Sequence, residues 1–257
     1  MPIIKKLFFS PVKSLSFQKI SKCKIVKNVG IFNDRLFAFS RNSNLEKARI
    51  LEKNSFSRNH KDFLSLKNTT VLNKYKFTLI NNILTLHYKK DKILSINIEN
   101  KNEYEAMCNN LVEVEKKILK PVYLLRNEKF PFFDTTHSKQ THNTISLINL
   151  NSIKELSNKL NIKIEYERFR GNIYIDSLNA WDERKWIDKI ITINNTKFLV
   201  DTHIPRCSAT NLKPNSDKNT INLPQAIRKK YNHADMGVYL KPLENGSIKI
   251  NDKIILS

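Results

Sequence analysis

The densest group of chemically capable side chains is the segment 201–214, DTHIPRCSATNLKP, which follows an alternating run typical of a strand. Cys207 stands there directly after Arg206. A thiol beside a cation ionises more readily, and the thiolate is the form that acts as a nucleophile or as a ligand for a soft metal. Cys207 is therefore the candidate reactive cysteine, although a small buried apolar thiol is the commoner role of a free cysteine.

The other two cysteines fit that commoner role better. Cys23 lies among lysines at a predicted strand start, and Cys108 lies on a predicted amphipathic helix. Three cysteines so far apart form neither a disulfide framework nor a Cys/His zinc motif. Such cysteine usage is typical of a reducing compartment, so we expect a cytoplasmic protein.

A second polar cluster is the segment 167–176, ERFRGNIYID. Arg168, Arg170 and Asn172 share the same parity, so in an extended chain they would line one anion-recognising face. The alternative is a solvated strand face on which these arginines pair with Glu165 and Glu167. A third group, Ser10-Pro11-Val12-Lys13-Ser14, is weak when taken alone.

Composition places the chain among ordinary globular proteins. It has 257 residues, with 40% hydrophobic and 27% charged residues. The formal net charge of +21 keeps nucleic-acid binding open as an alternative, which predicts salt-dependent binding that does not need Cys207. Lysines spread through every part of the chain are more typical of codon bias, so no nucleic-acid partner is predicted. No apolar run approaches the ~18 residues of a membrane helix, and no membrane association is predicted.

The apolar pattern predicts a mainly β (α+β) chain. Alternating residues favour strands at 3–9, 24–29, 36–39, within 75–98, and at 145–149, 169–175, 190–193 and 197–202. Helical spacing favours helices over 102–119, from Asn151-Ser152 to Leu160, and after Pro224. The tail 246–256 is predicted to be a hairpin that turns at Asn251-Asp252.

Five motifs occur along the chain in one order. They are Pro11-Val12-Lys13-Ser14; Gly30 with Asp34-Arg35; Thr144 to Asn149; Arg168-Phe169-Arg170-Gly171-Asn172 followed by Trp181 to Trp186; and Arg206-Cys207 with Thr210. This order resembles the MOSC family, named after the C-terminal domain of molybdenum cofactor sulfurase. It is similar above all to two-part members such as the mitochondrial amidoxime-reducing component and its bacterial relatives.

The resemblance has two departures and one gap. Gly171 stands where the family often has proline, which frees the backbone. The segment 211–214 stands where the family often has Thr-Val-Asp-Pro, so an acidic role there is in doubt. The segment 42–120 carries no recognised motif.

The resemblance implies two domains and one cofactor site. Residues 1–120 would form a MOSC N-terminal β-barrel-like domain, and residues 121–257 a β-barrel MOSC domain. Cys207 would be the catalytic residue and the ligand of molybdenum held by a pterin dithiolene. The implied cofactor-binding residues are Lys13, Ser14, Arg35, Asn143, Thr144, Arg168, Arg170, Asn172, Arg206 and Cys207. Arginine suits this role because it makes charge-assisted, bidentate bonds to phosphate.

The implied activity is the reduction of N-hydroxylated or other N-oxygenated compounds by a molybdenum-dependent oxidoreductase. A separate ferredoxin-like or flavin reductase would supply the electrons, because the sequence has neither a four-cysteine cluster motif nor a GxGxxG. No pyridoxal phosphate, iron–sulfur cluster or flavin is expected in this chain. The alternative is a sulfur-transfer module that carries a persulfide on Cys207, and the two differ in whether molybdenum stays bound and turns over.

Overall fold

The computed structural model of the chain describes residues 1–15, 17–41, 44–133 and 145–256. Asn143 and Thr144 lie outside the described residues. Within these ranges the strands are β1 (Ile3–Phe9), β2 (Gln18–Ile20), β3 (Lys22–Val26), β4 (Gly30–Ile31), β5 (Phe37–Phe39), β6 (Tyr75–Ile80), β7 (Ile83–Tyr88), β8 (Asp91–Asn97), β9 (Leu124–Arg126), β10 (Ile145–Asn149), β11 (Ile173–Asp176), β12 (Ile190–Ile193), β13 (Thr196–Pro205), β14 (Asp235–Pro242), β15 (Gly246–Lys249) and β16 (Ile254–Leu256). The α-helices are α1 (Leu45–Lys53), α2 (Glu103–Val114), α3 (Leu150–Leu160) and α4 (Leu223–Tyr231).

An eight-stranded sheet forms the centre of the molecule, in the order β16-β12-β13-β14-β10-β11-β1-β2. β10 and β11 run parallel, and α3 lies in the crossover that a parallel pair requires. β1, from the start of the chain, pairs antiparallel with β11. The prediction of a mainly β (α+β) chain is confirmed. The domain boundary after residue 120 stays a prediction, and strand pairing crosses it.

Three smaller sheets accompany the large one: β15-β3-β4, β5-β9 and β6-β7-β8. In the described part of the chain no sheet closes on itself, so the predicted barrels are present as open sheets. The predicted tail hairpin is wrong, because β15 pairs with β3 while β16 pairs with β12. Alternation identifies a strand, but packing with distant residues selects its partner.

The segment 75–98 forms the predicted meander, whose first turn is Asn81-Asn82. Both residues have positive φ, 47° and 62°, which asparagine tolerates. The helix predicted over 102–119 ends earlier, at Val114. Glu115 leaves the helix there, and its carboxylate lies 3.1 Å from Lys74 Nζ.

The predicted strand at 169–175 begins later than expected. Tyr166–Phe169 is a 3-10 helix, Arg170 follows with φ 53°, and β11 starts only at Ile173. The shared face predicted for Arg168, Arg170 and Asn172 is therefore wrong, because alternation of side chains requires extended backbone. A short helix and a left-handed residue direct these side chains separately.

A buried carboxylate joins α3 to the 3-10 helix Asp182–Trp186. Glu183 is fully buried and accepts hydrogen bonds from Ser152 Oγ at 2.9 Å and from Asn149 Nδ2 at 3.1 Å. Ser152 Oγ also accepts from the backbone N–H of Trp181. Glu183 thus fixes the tryptophan-containing loop to the start of α3. None of the helices described is both long and apolar enough to cross a membrane.

Replacing Glu183 with glutamine should flatten the pH dependence of stability. Burial raises the pKa of Glu183 above its ordinary value of 4.5, against the smaller effects of its hydrogen bonds and of Arg184. The folded state then binds this proton more tightly than the unfolded state, so the group's contribution to stability is greatest at low pH. That contribution is lost as the pH rises from 4.5 through the raised pKa. We expect the wild type to lose stability relative to Glu183→Gln over this rise, measured by urea unfolding from pH 4 to 8.

The exposed Glu113 provides the matched control. The free energy of unfolding of Glu113→Gln should change with pH as that of the wild type does. Parallel curves for wild type and Glu183→Gln would contradict the expectation.

Candidate functional site

A cavity of about 530 Å³ lies between the large sheet and segments from the first half of the chain. This volume is within the roughly 300–1,000 Å³ usual for small-molecule sites. Seven predicted site residues line it: Lys13, Ser14, Arg35, Arg170, Asn172, Arg206 and Cys207. The structure thus brings together residues up to about 190 positions apart, as the predicted single site requires.

Cys207 stands where β13 has just ended and a 3-10 helix, Ser208–Asn211, begins. Its carbonyl accepts from Thr210 N at 3.1 Å and from Thr210 Oγ1 at 2.8 Å, which fixes the turn. The residue is half-buried, and it interacts electrostatically with the guanidinium groups of Arg170 and Arg206. An ionised thiol there would face two positive charges.

The other two thiols do not reach this cavity. Cys23 and Cys108 are both buried, and burial raises the pKa of each to about 12. Both therefore stay protonated at neutral pH. The prediction that these two cysteines are inert core residues is confirmed.

Two arginines approach each other at the cavity. Arg35 and Arg170 both lie over the ring of Phe17, at 5.1 and 4.9 Å from its centroid. Burial and, to a smaller extent, the nearby positive charge of Arg35 lower the pKa of Arg170 to about 10. Arg170 Nη2 also donates to the carbonyl of Leu15. Because like charges in a half-buried site repel, this arrangement favours an anion between or beside them.

Three cavity residues have left-handed backbone. Ser14, Arg35 and Arg170 have φ of 60°, 54° and 53°. Such conformations cost free energy in residues other than glycine and cluster where a site needs a particular side-chain direction. Gly171 permits the conformation of Arg170, because a proline at position 171 would disfavour α-type backbone in the residue before it. A side chain at Gly171 would also meet Ile148 Cδ1, 2.6 Å from an added Cβ.

Lys13 reaches the cavity from the loop after β1. Its side chain is only 6% exposed, and Nζ donates to the carbonyls of Phe133 at 3.1 Å and Phe132 at 3.4 Å. Backbone carbonyls thus hold this ammonium group at the cavity wall. The residues that line the cavity carry five cationic side chains, Lys13, Arg35, Lys67, Arg170 and Arg206. The one lining carboxylate, Asp201, is paired with Lys241 at 2.6 Å, so the cavity suits an anionic ligand.

The MOSC domain family model matches residues 134–255. The C-terminal half of this chain is a MOSC domain. The family is associated with the molybdenum cofactor. Residues 1–133 lie outside the matched range, so the identity of the N-terminal domain stays a prediction. No curated protein matches the chain.

Two solved structures resemble the chain weakly. YiiM from Geobacillus stearothermophilus aligns at 16% identity with a TM-score of 0.36, over 44% of this chain and 53% of its own. The chain thus spans about half the length of YiiM. The YUAD protein from Bacillus subtilis aligns at 10% identity with a TM-score of 0.44, over 99% of this chain and 94% of its own. At these scores neither resemblance supports a statement about site or activity.

Asn172 of the MOSC domain lines the cavity, but its amide is used by the fold. It is fully buried, and Nδ2 donates to Asp34 Oδ2 at 3.1 Å and to the carbonyl of Phe8 at 3.2 Å. Oδ1 accepts from Ser146 Oγ at 2.8 Å. Asp34, itself buried, also accepts from Ser10 N and forms an ion pair with Arg35. Asn172 therefore positions Arg35 through Asp34.

Arg168 does not line this cavity, and its cofactor-binding role stays a prediction. Its guanidinium binds Glu165 at 2.6 Å, the carbonyl of Asn211 at 3.0 Å and Thr220 Oγ1 at 2.8 Å. These contacts attach the segment after Cys207 to the 3-10 helix before Arg170. Arg168 thus pairs with Glu165, as the solvated-face alternative predicts. It also bridges two segments, which neither alternative predicts.

Arg206 lines the cavity and at the same time braces the MOSC domain. Its guanidinium donates to the carbonyls of Met236 at 3.0 Å and Phe169 at 2.8 Å, which connects the cysteine turn to β14. Burial lowers the pKa of Arg206 below its ordinary value. Arg206 also interacts electrostatically with Cys207, while its hydrogen bonds serve the fold.

Several lining residues were not predicted as site residues. His60, Ser65, Lys67, Phe132 and Phe133 come from the first half of the chain, and His203 and Tyr239 from the second. His203 lies within the segment 201–214, so its closeness to Cys207 in the sequence is a signal that could have found it. The others lie far from any motif, and only folding brings them to the cavity.

Replacing Asn172 with alanine should destabilise the fold. The change removes partners from Asp34, Ser146 and Phe8 together, and unpaired buried polar groups are costly. We expect a loss of about 2–4 kcal/mol in the free energy of unfolding, measured by urea denaturation.

Asn158→Ala, on the exposed face of α3, is the matched control and should change stability by less than about 0.5 kcal/mol. An unchanged stability for Asn172→Ala would refute this account of the amide.

Proposed function

We propose that the cavity binds the molybdenum cofactor and that Cys207 is the protein ligand of the metal. The observation that carries the proposal is one half-buried thiol in a cavity lined by five cationic side chains. A thiolate is a soft ligand that suits molybdenum, and cationic side chains suit the anionic cofactor that would carry the metal. The MOSC domain gives the proposal its family context.

The donor set fits a metal that arrives with its own chelating ligand. No group of three or more His, Cys, Asp or Glu side chains that could hold a metal occurs among the described residues. A single thiolate would not hold a metal ion by itself, but it can complete the coordination of one already held by a pterin dithiolene. The residues present thus fit the cofactor that the family implies.

The cationic residues would bind the phosphate end of the pterin. Arg35 and Arg170 supply paired guanidinium groups, and Lys13 supplies an ammonium group fixed by backbone carbonyls. Ser14 adds a hydroxyl group on the same loop as Lys13. Guanidinium groups bind phosphate oxygens in pairs, which orients as well as attracts the anion.

The proposed reaction is the reduction of N-hydroxylated or other N-oxygenated compounds. In this reaction the N–O bond breaks, oxygen leaves as water, and two electrons and two protons are consumed. When bound, the cofactor would supply the two-electron redox chemistry and the site that accepts the oxygen atom. The chain's own residues hold the cofactor, and the cavity walls position the substrate beside Cys207.

The electrons would come from a separate ferredoxin-like or flavin reductase. Such carriers are commonly acidic, and this chain has a formal net charge of +21. Opposite net charges accelerate the encounter of two proteins and make it sensitive to salt. The basic surface therefore supports this choice of partner class.

Cys207→Ser should abolish molybdenum binding. A serine hydroxyl is a hard and weakly acidic group, so it would not replace the thiolate as a metal ligand. We expect near-stoichiometric molybdenum and pterin in the wild type expressed in a cofactor-producing host, and loss of molybdenum in the variant. Metal content is measured by mass spectrometry and pterin by fluorescence after oxidation.

Cys108→Ala is the matched control, because it removes a buried thiol outside the cavity and should keep the metal. Wild-type protein without molybdenum or pterin, despite proven supply in the host, would refute the proposal. A persulfide on Cys207 in that protein would support the sulfur-transfer alternative.

The loaded protein should reduce an N-hydroxylated amidine with an artificial reductant. We expect one amidine formed for every two electrons consumed, and turnover reduced to background in Cys207→Ser. Product is measured by chromatography. A loaded wild type that reduces no N-oxygenated compound would refute the substrate class and leave the metal site intact.

A further inference from the structure

Two buried side-chain polar atoms in the described residues have no hydrogen-bond partner, and both belong to residues that line the cavity. They are Ser65 Oγ and His60 Nδ1. Ser65 is only 6% exposed. Neither residue is part of the proposed molybdenum site, and neither carries a motif in the sequence.

An unpaired buried polar group costs free energy, so folded proteins rarely keep one without a reason. Here both atoms belong to residues from one short segment, 60–65, that lines one cavity, rather than to scattered positions. The simplest physical account is a partner that arrives with a ligand and bonds to both groups.

The wall is built to hold Ser65 in place. Asn68 Oδ1 accepts from the backbone N–H of Ser65 at 3.0 Å, and Asn68 Nδ2 donates to the carbonyl of Phe63 at 2.9 Å. The carbonyl of Ser65 accepts from Thr69 N at 2.7 Å. Every backbone polar group of Ser65 is thus bonded within the turn, and its hydroxyl is left for the cavity.

His60 is held in a similar way. Asn59 caps the short helix His60–Asp62, and Asp62 returns a hydrogen bond to the backbone of Asn59. The wall also joins the predicted site, since the Phe63 ring packs against Phe132 at 5.6 Å and lies 5.8 Å from Lys13 Nζ.

The side chains on this wall define the ligand chemistry. A serine hydroxyl donates a hydrogen bond, and Nδ1 of a histidine can donate one. Lys67, on the same turn as Ser65, adds a positive charge to the cavity lining. Two donors and a cation together suit an oxyanion.

We propose that His60, Ser65 and Lys67 form a subsite that binds an oxyanionic group, a carboxylate or a phosphate, of a small-molecule ligand in the Cys207 cavity. The subsite goes beyond the proposed function and does not depend on molybdenum. Its oxyanion can belong to the substrate or to the phosphate end of the cofactor, and the experiment separates these sources.

The test is Ser65→Ala in the full chain, with binding of inorganic phosphate and of acetate measured by calorimetry. We expect the wild type to bind at least one anion and the variant to bind it about tenfold more weakly. We also expect the Tm of the anion-free variant to equal or exceed that of the wild type, because the hydroxyl has no partner to lose. Ser57→Ala, an exposed serine in the same segment, should change neither quantity.

Wild-type protein that binds neither anion overturns the proposal, as does unchanged anion binding in Ser65→Ala. If Ser65→Ala lowers Tm, anion binding is instead compared in Lys67→Gln, because this variant changes an exposed side chain. Weaker anion binding in Lys67→Gln than in Lys61→Gln then supports the subsite, and equal binding overturns it.

To separate the two sources of the oxyanion, wild type and Ser65→Ala are expressed in the cofactor-producing host and compared in pterin content and in KM. Lower pterin content in Ser65→Ala assigns the subsite to the cofactor phosphate. Unchanged pterin content with a higher KM for a carboxylate-bearing substrate, and not for a neutral one, assigns it to the substrate. A wild type without molybdenum refutes the proposed function alone, because the anion titrations do not use the metal.

Discussion

A buried amide joins the start of the chain to the MOSC domain at the cavity. Asn172 bonds at once to the carbonyl of Phe8, to Asp34 and to Ser146. Asp34 in turn forms an ion pair with Arg35, so the Asn172 amide positions the Arg35 side chain at the cavity. Because buried polar groups must be paired, this network tolerates few substitutions. The network links β1 to the residue before β11 and positions Arg35 at the cavity.

Five cationic side chains line the cavity against one lining carboxylate, Asp201. Arg35 and Arg170 both lie over the ring of Phe17, and burial lowers the pKa of Arg170. Cys207 lies within reach of that field. Charge, left-handed backbone and unpaired donors converge on this one cavity, which is the pattern of a site kept ready for a ligand at a cost to stability.

The sequence predicted which residues gather at one cavity better than it predicted the strands around them. Seven of the predicted residues line one cavity, while the strand predicted from residue 169 starts only at Ile173, after a 3-10 helix and the left-handed Arg170. Motifs report residue types that chemistry requires. Backbone conformation around them departs from periodic structure because the side chains must point in unusual directions, and alternation cannot predict that departure.

By itself the sequence determined the mainly β class and the two buried core cysteines, because apolar alternation and residue chemistry are local properties. Tertiary structure alone decided that Arg168 serves as a bridge, that the tail strands join different sheets, and that His60 and Ser65 line the cavity. Each of these depends on contacts between residues far apart in the chain. Local patterns carry no information about which distant partner packs best, and packing selects that partner.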